Sequence, residues 1–335
     1  MAKNEARHHH HIPQCYLRGF STGSGKKCRV QVANLVPQVW FETNPRNIGG
    51  VRDFNRIELE GFEPDALEGM LSNFEGEVAT AIRNIVASHK FDGADRNAVL
   101  NLIALLAVRS PQNREQLRKF EEEVLKKVLG LSLATKERWE AQEAEMKKAG
   151  YEMPNEIPYE QMKEFYESDE YTISLNTEHH IAMELQSHDV VLRTLADRKW
   201  KLYITNEDKG FFVTTDRPVV LTWNHPEEMP VMMRDSPGFG MTETDLIFPL
   251  TKELLLVGSF EGEDAVLEAP AEFVAFANMR MIRYSHGQVY AAKRSFPYIG
   301  PDRRFYNDRH FMEQWEPYRK KTVTNTLEGA AAESG

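Results

Sequence analysis

The sequence predicts an α+β fold, with a helical first half packed on a mainly antiparallel sheet formed largely by the second half. Two observations carry this. Between Leu67 and Ile85 apolar residues return every three or four positions, the period of a helix face, and helical patterning continues to about Leu195. From Trp200 onward, short apolar runs bounded by turn residues take over, and helices first with strands later is the α+β order. No internal repeat is present.

Residues 1–7 read as a flexible N-terminus, residues 8–322 as a single α+β domain and residues 323–335 as a disordered tail. After a run of four histidines, two β-like stretches, Lys27–Leu35 and Gln38–Thr43, flank Pro37 and close at Asn44-Pro45, the pattern of a hairpin. The first helix carries Leu67, Met70, Leu71, Phe74, Val78, Ile82 and Ile85 on one stripe. A second opens near Asp95 and runs through Val99, Leu102, Ile103 and Leu106. It holds no charged side chain between Asn97 and Val108, which marks a helix buried round most of its circumference. Pro111 bends or restarts the chain, and Gln112 to about Leu131 is helical again with a charged outer face. The Glu- and Lys-rich segment 135–170, interrupted by Pro154 and Pro158, reads as a surface helix followed by a loop, an acidic insertion or lid. A further helix covers Glu178–Leu195. Strands are expected at Trp200–Thr205, Phe211–Thr215, Val219–Trp223, Leu246–Leu250 and Leu254–Phe260. A helix at Ala271–Arg280 then precedes a hairpin of Met281–Tyr284 with Gln288–Ala292 across a Ser285–Gly287 turn.

Apolar residues make up 41% and aromatics 10%, enough for a sizeable core, so a largely disordered chain is excluded. No apolar run approaches the roughly 20 residues that span a bilayer, and the N-terminus lacks the apolar stretch of a signal peptide, so no membrane partner and a cytoplasmic location are expected. Cys15 and Cys28 are too few for a disulfide framework and lack the spacing of a zinc site, which makes both reduced thiols. The net charge of -10 conceals a division: residues 1–56 and 279–321 are each +6, while residues 57–278 carry -20. Phosphate binding depends on local patches, so the basic ends keep a phosphate-bearing partner open. The same pattern also follows simply from where acidic helices fall. Absent are a Gly-rich phosphate loop, a dinucleotide fingerprint, a Gly-x-Ser-x-Gly elbow and His-Glu-x-x-His, which disfavours P-loop, kinase, Rossmann, hydrolase-elbow and zincin chemistry.

The candidate chemistry starts at Arg7-His8-His9-His10-His11-Ile12-Pro13-Gln14-Cys15-Tyr16-Leu17-Arg18-Gly19-Phe20. Imidazoles move protons or ligate metals near neutral pH, but neighbouring histidines point apart, so His10 and His11 do not share one ion without a kink. The segment is either a catalytic or ligand-binding element or a polar arm docked through Tyr16, Leu17 and Phe20. Glu75 flanks the apolar stripe of the first helix, where it serves as a base or metal ligand, or as a boundary residue paired with an arginine. Arg109 is the first charge after the uncharged helix and must find an anion or carbonyls. It clamps a phosphate or carboxylate, or pairs internally with Glu75 or Asp216. Asp216 ends an apolar strand before Arg217-Pro218, a place that suits either a catalytic carboxylate or ordinary turn chemistry. Arg303, Arg304, Phe305, Tyr306, Arg309, His310, Phe311, Trp315, Tyr318, Arg319, Lys320 and Lys321 mix cationic and aromatic groups, which fits nucleic-acid stacking or, more simply, a closing helix packed on the core.

Taken in order, His10-His11-x-Pro13-Gln14-x-Tyr16-Leu17-Arg18-x-Phe20, Glu75, Arg109-Ser110-Pro111, Trp200, Thr214-Thr215-Asp216-x-Pro218-Val219, Phe248-Pro249-Leu250 and Asn278 resemble a widespread bacterial family classed as a domain of unknown function, over roughly residues 8–292. Thr215 stands where that family usually has Ser, and Arg217 where it often has Asn. The resemblance imports no activity, but it groups His10, His11, Glu75, Arg109 and Asp216 as one set. Such a set suits a hydrolase or transferase working at a phosphate or glycosidic centre, with a nucleotide or nucleic acid as substrate and a nuclease-like or phosphodiesterase reaction. Glu75 and Asp216 would hold a divalent cation such as magnesium or manganese, and Gln14, Arg18, Arg114, Arg303 and Arg304 would contact substrate. The rivals are a non-enzymatic binding or regulatory module whose polar residues form a structural network, and a defence or toxin-like effector. The oligomeric state is left open.

Overall fold

The computed structural model describes residues 8–56, 66–151, 157–168, 170, 171, 173, 176–235, 237–300 and 302–315. The N-terminal residues 1–7 and the tail 323–335 lie outside the described residues. Two compact units make up the chain: residues 1–110 together with 181–335, and residues 111–180.

The first unit opens with strand β1 (His8–His10), helix α1 (Gln14–Leu17) with a 3-10 turn over Arg18–Phe20, strands β2 (Val30–Leu35) and β3 (Gln38–Thr43), and strand β4 (Gly50–Arg52). The predicted β2–β3 hairpin is present. Strands β1 and β4 pair antiparallel and have no apolar alternation, so the sequence pattern does not announce them. Helices α2 (Ala66–Ser88) and α3 (Gly93–Val108) stand where the periodicity puts them, and α3 buries Val99, Leu100, Leu102, Ile103, Ala104 and Leu106.

The second unit contains α4 (Pro111–Ser132), α5 (Lys136–Lys148) and α6 (Tyr159–Ser168). It therefore takes in the acidic 135–170 segment together with the helix before it. Where a loop is expected after the surface helix, α6 forms around the helically spaced Met162, Phe165 and Tyr166, and the Tyr159 hydroxyl donates to the Leu133 carbonyl at 2.9 Å. Helix α7 (Thr177–Ala196) carries the chain back to the first unit.

The rest of the first unit is β5 (Lys199–Ile204), β6 (Thr214–Thr215), β7 (Val220–Trp223), β8 (Thr244–Pro249), β9 (Leu254–Ser259), β10 (Ala265–Glu268), α8 (Ala271–Arg283), β11 (Gln288–Ala291), β12 (Phe296–Ile299) and β13 (Phe305–Asp308). A five-stranded sheet has the order β10-β5-β9-β8-β7, antiparallel except for the parallel β10–β5 pair. The other large sheet, β3-β2-β11-β6, is antiparallel and joins both ends of the chain. This settles the α+β class and distributes the strands over more than one sheet. One expected strand is corrected: Met281–Arg283 belongs to α8, because Val274, Ala277, Met281 and Ile282 continue one buried helical stripe, and Tyr284 caps it.

Strand alternation lets the five-stranded sheet bury both faces. Leu202, Leu246, Phe248, Leu254 and Leu256 share a core with α2 and α3. Val220, Ile247 and Leu255 on the other face pack against Val274, Ala277 and Met281 of α8. Gly258 is required opposite Trp200, because a Cβ there would lie 2.9 Å from the indole ring. The family-like residues Tyr16 and Asn278 act as ties. The Tyr16 hydroxyl donates to the Pro249 carbonyl at 2.7 Å and accepts from Thr214 at 2.7 Å. Asn278 accepts from the Val213 amide and donates to the Phe211 and Pro297 carbonyls. Among the described residues no helix is long and apolar enough to cross a membrane.

Candidate functional site at the histidine strand

Pairing of β1 with β4 sets His8 against Arg52, His9 against Val51 and His10 against Gly50, so the imidazoles of His9 and His10 leave opposite faces of the ribbon. His9 is buried, and its Nδ1 accepts the Asn55 amide at 2.8 Å, which places the proton of a neutral ring on Nε2. His10 is half-buried and its Nε2 donates to the Arg46 carbonyl at 3.1 Å. The buried His11 anchors its amide on the Gly49 carbonyl at 2.9 Å, and its ring lies 6.0 Å from that of Phe54. Gly49 must be glycine: its φ is +66°, and a Cβ would come within 3.0 Å of Ile12.

Arg109 enters from the C-terminus of α3. The uncharged run ends there, and Arg109 is only 4% exposed. Its Nη2 donates to the His10 carbonyl at 3.2 Å, and it lies 5.6 Å from the centre of the Phe54 ring. Three segments thus meet: β1, the turn after β4 and the end of α3. His10, His11 and Arg109 are the expected residues that the fold brings together. Phe54, Asn55 and His9 complete the group without having been selected from sequence. The Gly49-Gly50 pair ahead of Asp53-Phe54 marks a turn, but not its partner strand.

A second polar group adjoins α1, one turn beyond His11. Burial, helped by the Glu75 carboxylate and opposed by nearby backbone amides and Arg18, raises the Cys15 thiol to about 12. Glu75 on α2 and the exposed Arg18 therefore both face Cys15, and the thiol stays protonated near neutral pH, unsuited to act as a nucleophile. Gln14, half-buried, opens the same short helix.

The remaining expected site residues lie elsewhere. Asp216 accepts the amides of His286 at 2.8 Å and Gln288 at 3.0 Å, so its two oxygens hold the turn between α8 and β11. Burial raises its carboxyl to about 6 against the lowering by those amides. Arg303 and Arg304 are exposed on the turn joining β12 to β13, where Arg304 pairs with Asp302 at 3.7 Å. Residues 311–315 after it are helical, with Phe311 packed on Phe296 and Tyr298. Arg114 belongs to α4 in the second unit. Among the described residues, three ligand atoms fall within 4.8 Å of one another only at His225, Glu227 and Glu228, which are all exposed. Glu75 and Asp216 are not in that group.

The two basic ends do meet. Strand β11 pairs with β2, and Arg294 donates to the Gln31 side chain at 3.0 Å. Part of their charge is spent locally, Lys293 on Glu207 and Arg29 on Glu42.

No curated protein and no solved structure matches the chain. Residues 8–295 match the model of a family described as "Protein of unknown function (DUF4238)", a span that begins at the histidine strand and ends just after β11. With most of its length inside that match, the chain belongs to the DUF4238 family.

Proposed function

We propose that this protein is a hydrolase or transferase acting on a phosphate-bearing substrate, a nucleotide or nucleic acid, at the cluster formed by His10, His11 and Arg109. The observation that carries the reading is the buried Arg109 guanidinium hydrogen-bonded to the backbone of a strand made of histidines. A guanidinium in a low-dielectric setting binds a phosphate oxygen far more strongly than one in water. Adjacent imidazoles supply or remove the proton that the attacking and leaving oxygens require. Gln14, Arg18 and Glu75 border the same chain segment and would contact the remainder of the substrate. Asp216 enters as the residue that fixes the 285–288 turn, and no step is assigned to a metal.

The competing reading, a binding module with a structural polar network, draws support from Tyr16, Asn278 and Asp216, whose hydrogen bonds all tie segments of the fold together. One comparison separates the two. Inorganic phosphate, a nucleoside triphosphate panel and short single-stranded RNA are titrated into the wild-type chain and R109Q, with turnover of the latter two followed. The enzymatic reading expects R109Q to lose phosphate binding and about 100-fold or more in turnover, with H11N losing turnover but retaining binding. If R109Q binds phosphate as the wild type does, or neither protein turns over any substrate, the reading fails.

A further inference from the structure

Helix α4 has no buried residue. Four of its five exposed large apolar side chains are nevertheless concentrated: Phe120, Val124, Val128 and Leu131 are 63%, 40%, 53% and 64% exposed, while Leu125, 40% exposed, lies beside them. At about 100° per residue these four positions fall within roughly 80° of the helix circumference. A continuous apolar stripe on a surface helix is a face built to be covered. Beside its C-terminal half runs an open groove between α4 and α5, lined by Val128, Leu131, Arg138, Ala141 and Glu145 among others.

The charges along this face choose the occupant. Arg118 pairs with Glu115 and Glu122, Lys119 with Glu115, and Lys126 with Glu122. Glu123 and Lys127, both exposed on one flank of the stripe, make no ion pair among the described residues. A second α4 laid antiparallel about a two-fold axis at Val124 sets Val124 on its own copy and Phe120 opposite the second copy's Val128. It also brings Glu123 within two residues, about 3 Å of axial rise, of the second copy's Lys127. By symmetry each contact occurs twice, as an isologous interface demands. The most exposed aromatic of the stripe, Phe120, thereby faces the groove beside Val128 and Leu131.

We propose that α4 is a homodimerisation face, in which Phe120 of each copy enters the α4–α5 groove of the other and Glu123 pairs with Lys127 across the two-fold. The occupant is a second copy of this chain because the stripe, the groove and the charges complement themselves under one symmetry operation. The site is independent of the histidine cluster and of any reaction assigned there.

Sedimentation velocity of the full chain over a concentration series tests it. The expected result is a concentration-dependent dimer whose Kd rises by more than about 30-fold in F120D, the loss of a hot-spot side chain. E123K and K127E should each weaken the dimer, and the double exchange E123K/K127E should restore it. V124C should form a disulfide-linked dimer under mild oxidation. Circular dichroism confirms that each variant is folded, and if F120D is not, the charge exchange and the V124C link decide alone. A wild-type chain that stays monomeric overturns the proposal. So does a dimer that ignores F120D in a folded state, fails to recover in the double exchange, or does not cross-link through V124C.

Discussion

Arg109 and Arg198 each follow a long helix and are 4% and 1% exposed, yet their surroundings differ in kind. Arg198 donates to the carbonyls of Thr244, Gly258 and Phe239 and to the Thr244 hydroxyl, and its guanidinium lies 4.2 Å from the centre of the Phe260 ring. All these acceptors are neutral and belong to β8, β9 and the loop before β8. Burial pushes its pKa down to about 10, which still leaves it charged at neutral pH. Arg109 instead donates to the backbone carbonyl of His10 and lies 5.6 Å from the centre of the Phe54 ring. A guanidinium enclosed by carbonyls of two strands and a loop is a knot in the fold, whereas Arg109 meets the backbone of the histidine strand and the face of an aromatic ring.

Replacing the two separates these roles, and the largest effect is expected at Arg198. R198M removes the guanidinium that donates to the Thr244, Gly258 and Phe239 carbonyls and to the Thr244 hydroxyl. The expected loss is about 3–5 kcal/mol in urea unfolding, or failure to fold. R109M should cost distinctly less stability while abolishing phosphate binding, since site residues are seldom optimised for stability. Equal losses in the two variants would break the comparison and return Arg109 to the structural network.

Asp216 sharpens the same contrast through pH. Its folded-state carboxyl is raised to about 6 from an ordinary 3.8, mainly by burial. The folded protein therefore binds more protons than the unfolded chain between those values. Its contribution is most favourable below the unfolded pKa, and stability falls as pH rises from about 4 to about 6. The magnitude expected is on the order of 1–3 kcal/mol. Urea unfolding of the wild type and D216N at several pH values should show the wild type losing ground to the variant across this window. A difference that is flat in pH would mean that the turn amides, and not burial, set the carboxyl.

How much of this was legible beforehand depends on the kind of signal involved. Helices α2 and α3 and the β2–β3 hairpin announce themselves, because periodicity and turn residues are local properties. Strand β1 does not, because a run of histidines has no alternation, and its partner β4 is 40 residues away. Strands β10, β12 and β13 escape for a related reason: each is four residues long, and Val266 and Leu267 of β10 are exposed. The end of α8 reads as a strand because Met281-Ile282 is apolar on either period. Among site residues, His10, His11 and Arg109 were findable from an unusual composition and from a charge that closes an apolar helix. Phe54 and Asn55 were not, since a turn residue acquires its role only from the strand that folds against it.

The smallest effect concerns the flank of the site. Cys15 lies between Glu75, which raises its pKa, and Arg18, which lowers it, with burial outweighing both. Removing one charge at a time should move the thiol in opposite directions. E75Q lowers its pKa and should speed alkylation by iodoacetamide at mildly alkaline pH about threefold, because only the thiolate reacts. R18Q should slow it by a similar factor. Cys28, 4% exposed and hydrogen-bonded to Ser21, should remain unlabelled in the folded protein and serve as the internal control. If both substitutions accelerate labelling, access to the thiol and not the local field governs its reactivity. Glu75 would then have no electrostatic reach to the segment that follows the histidines, and its place beside the proposed substrate would go with it.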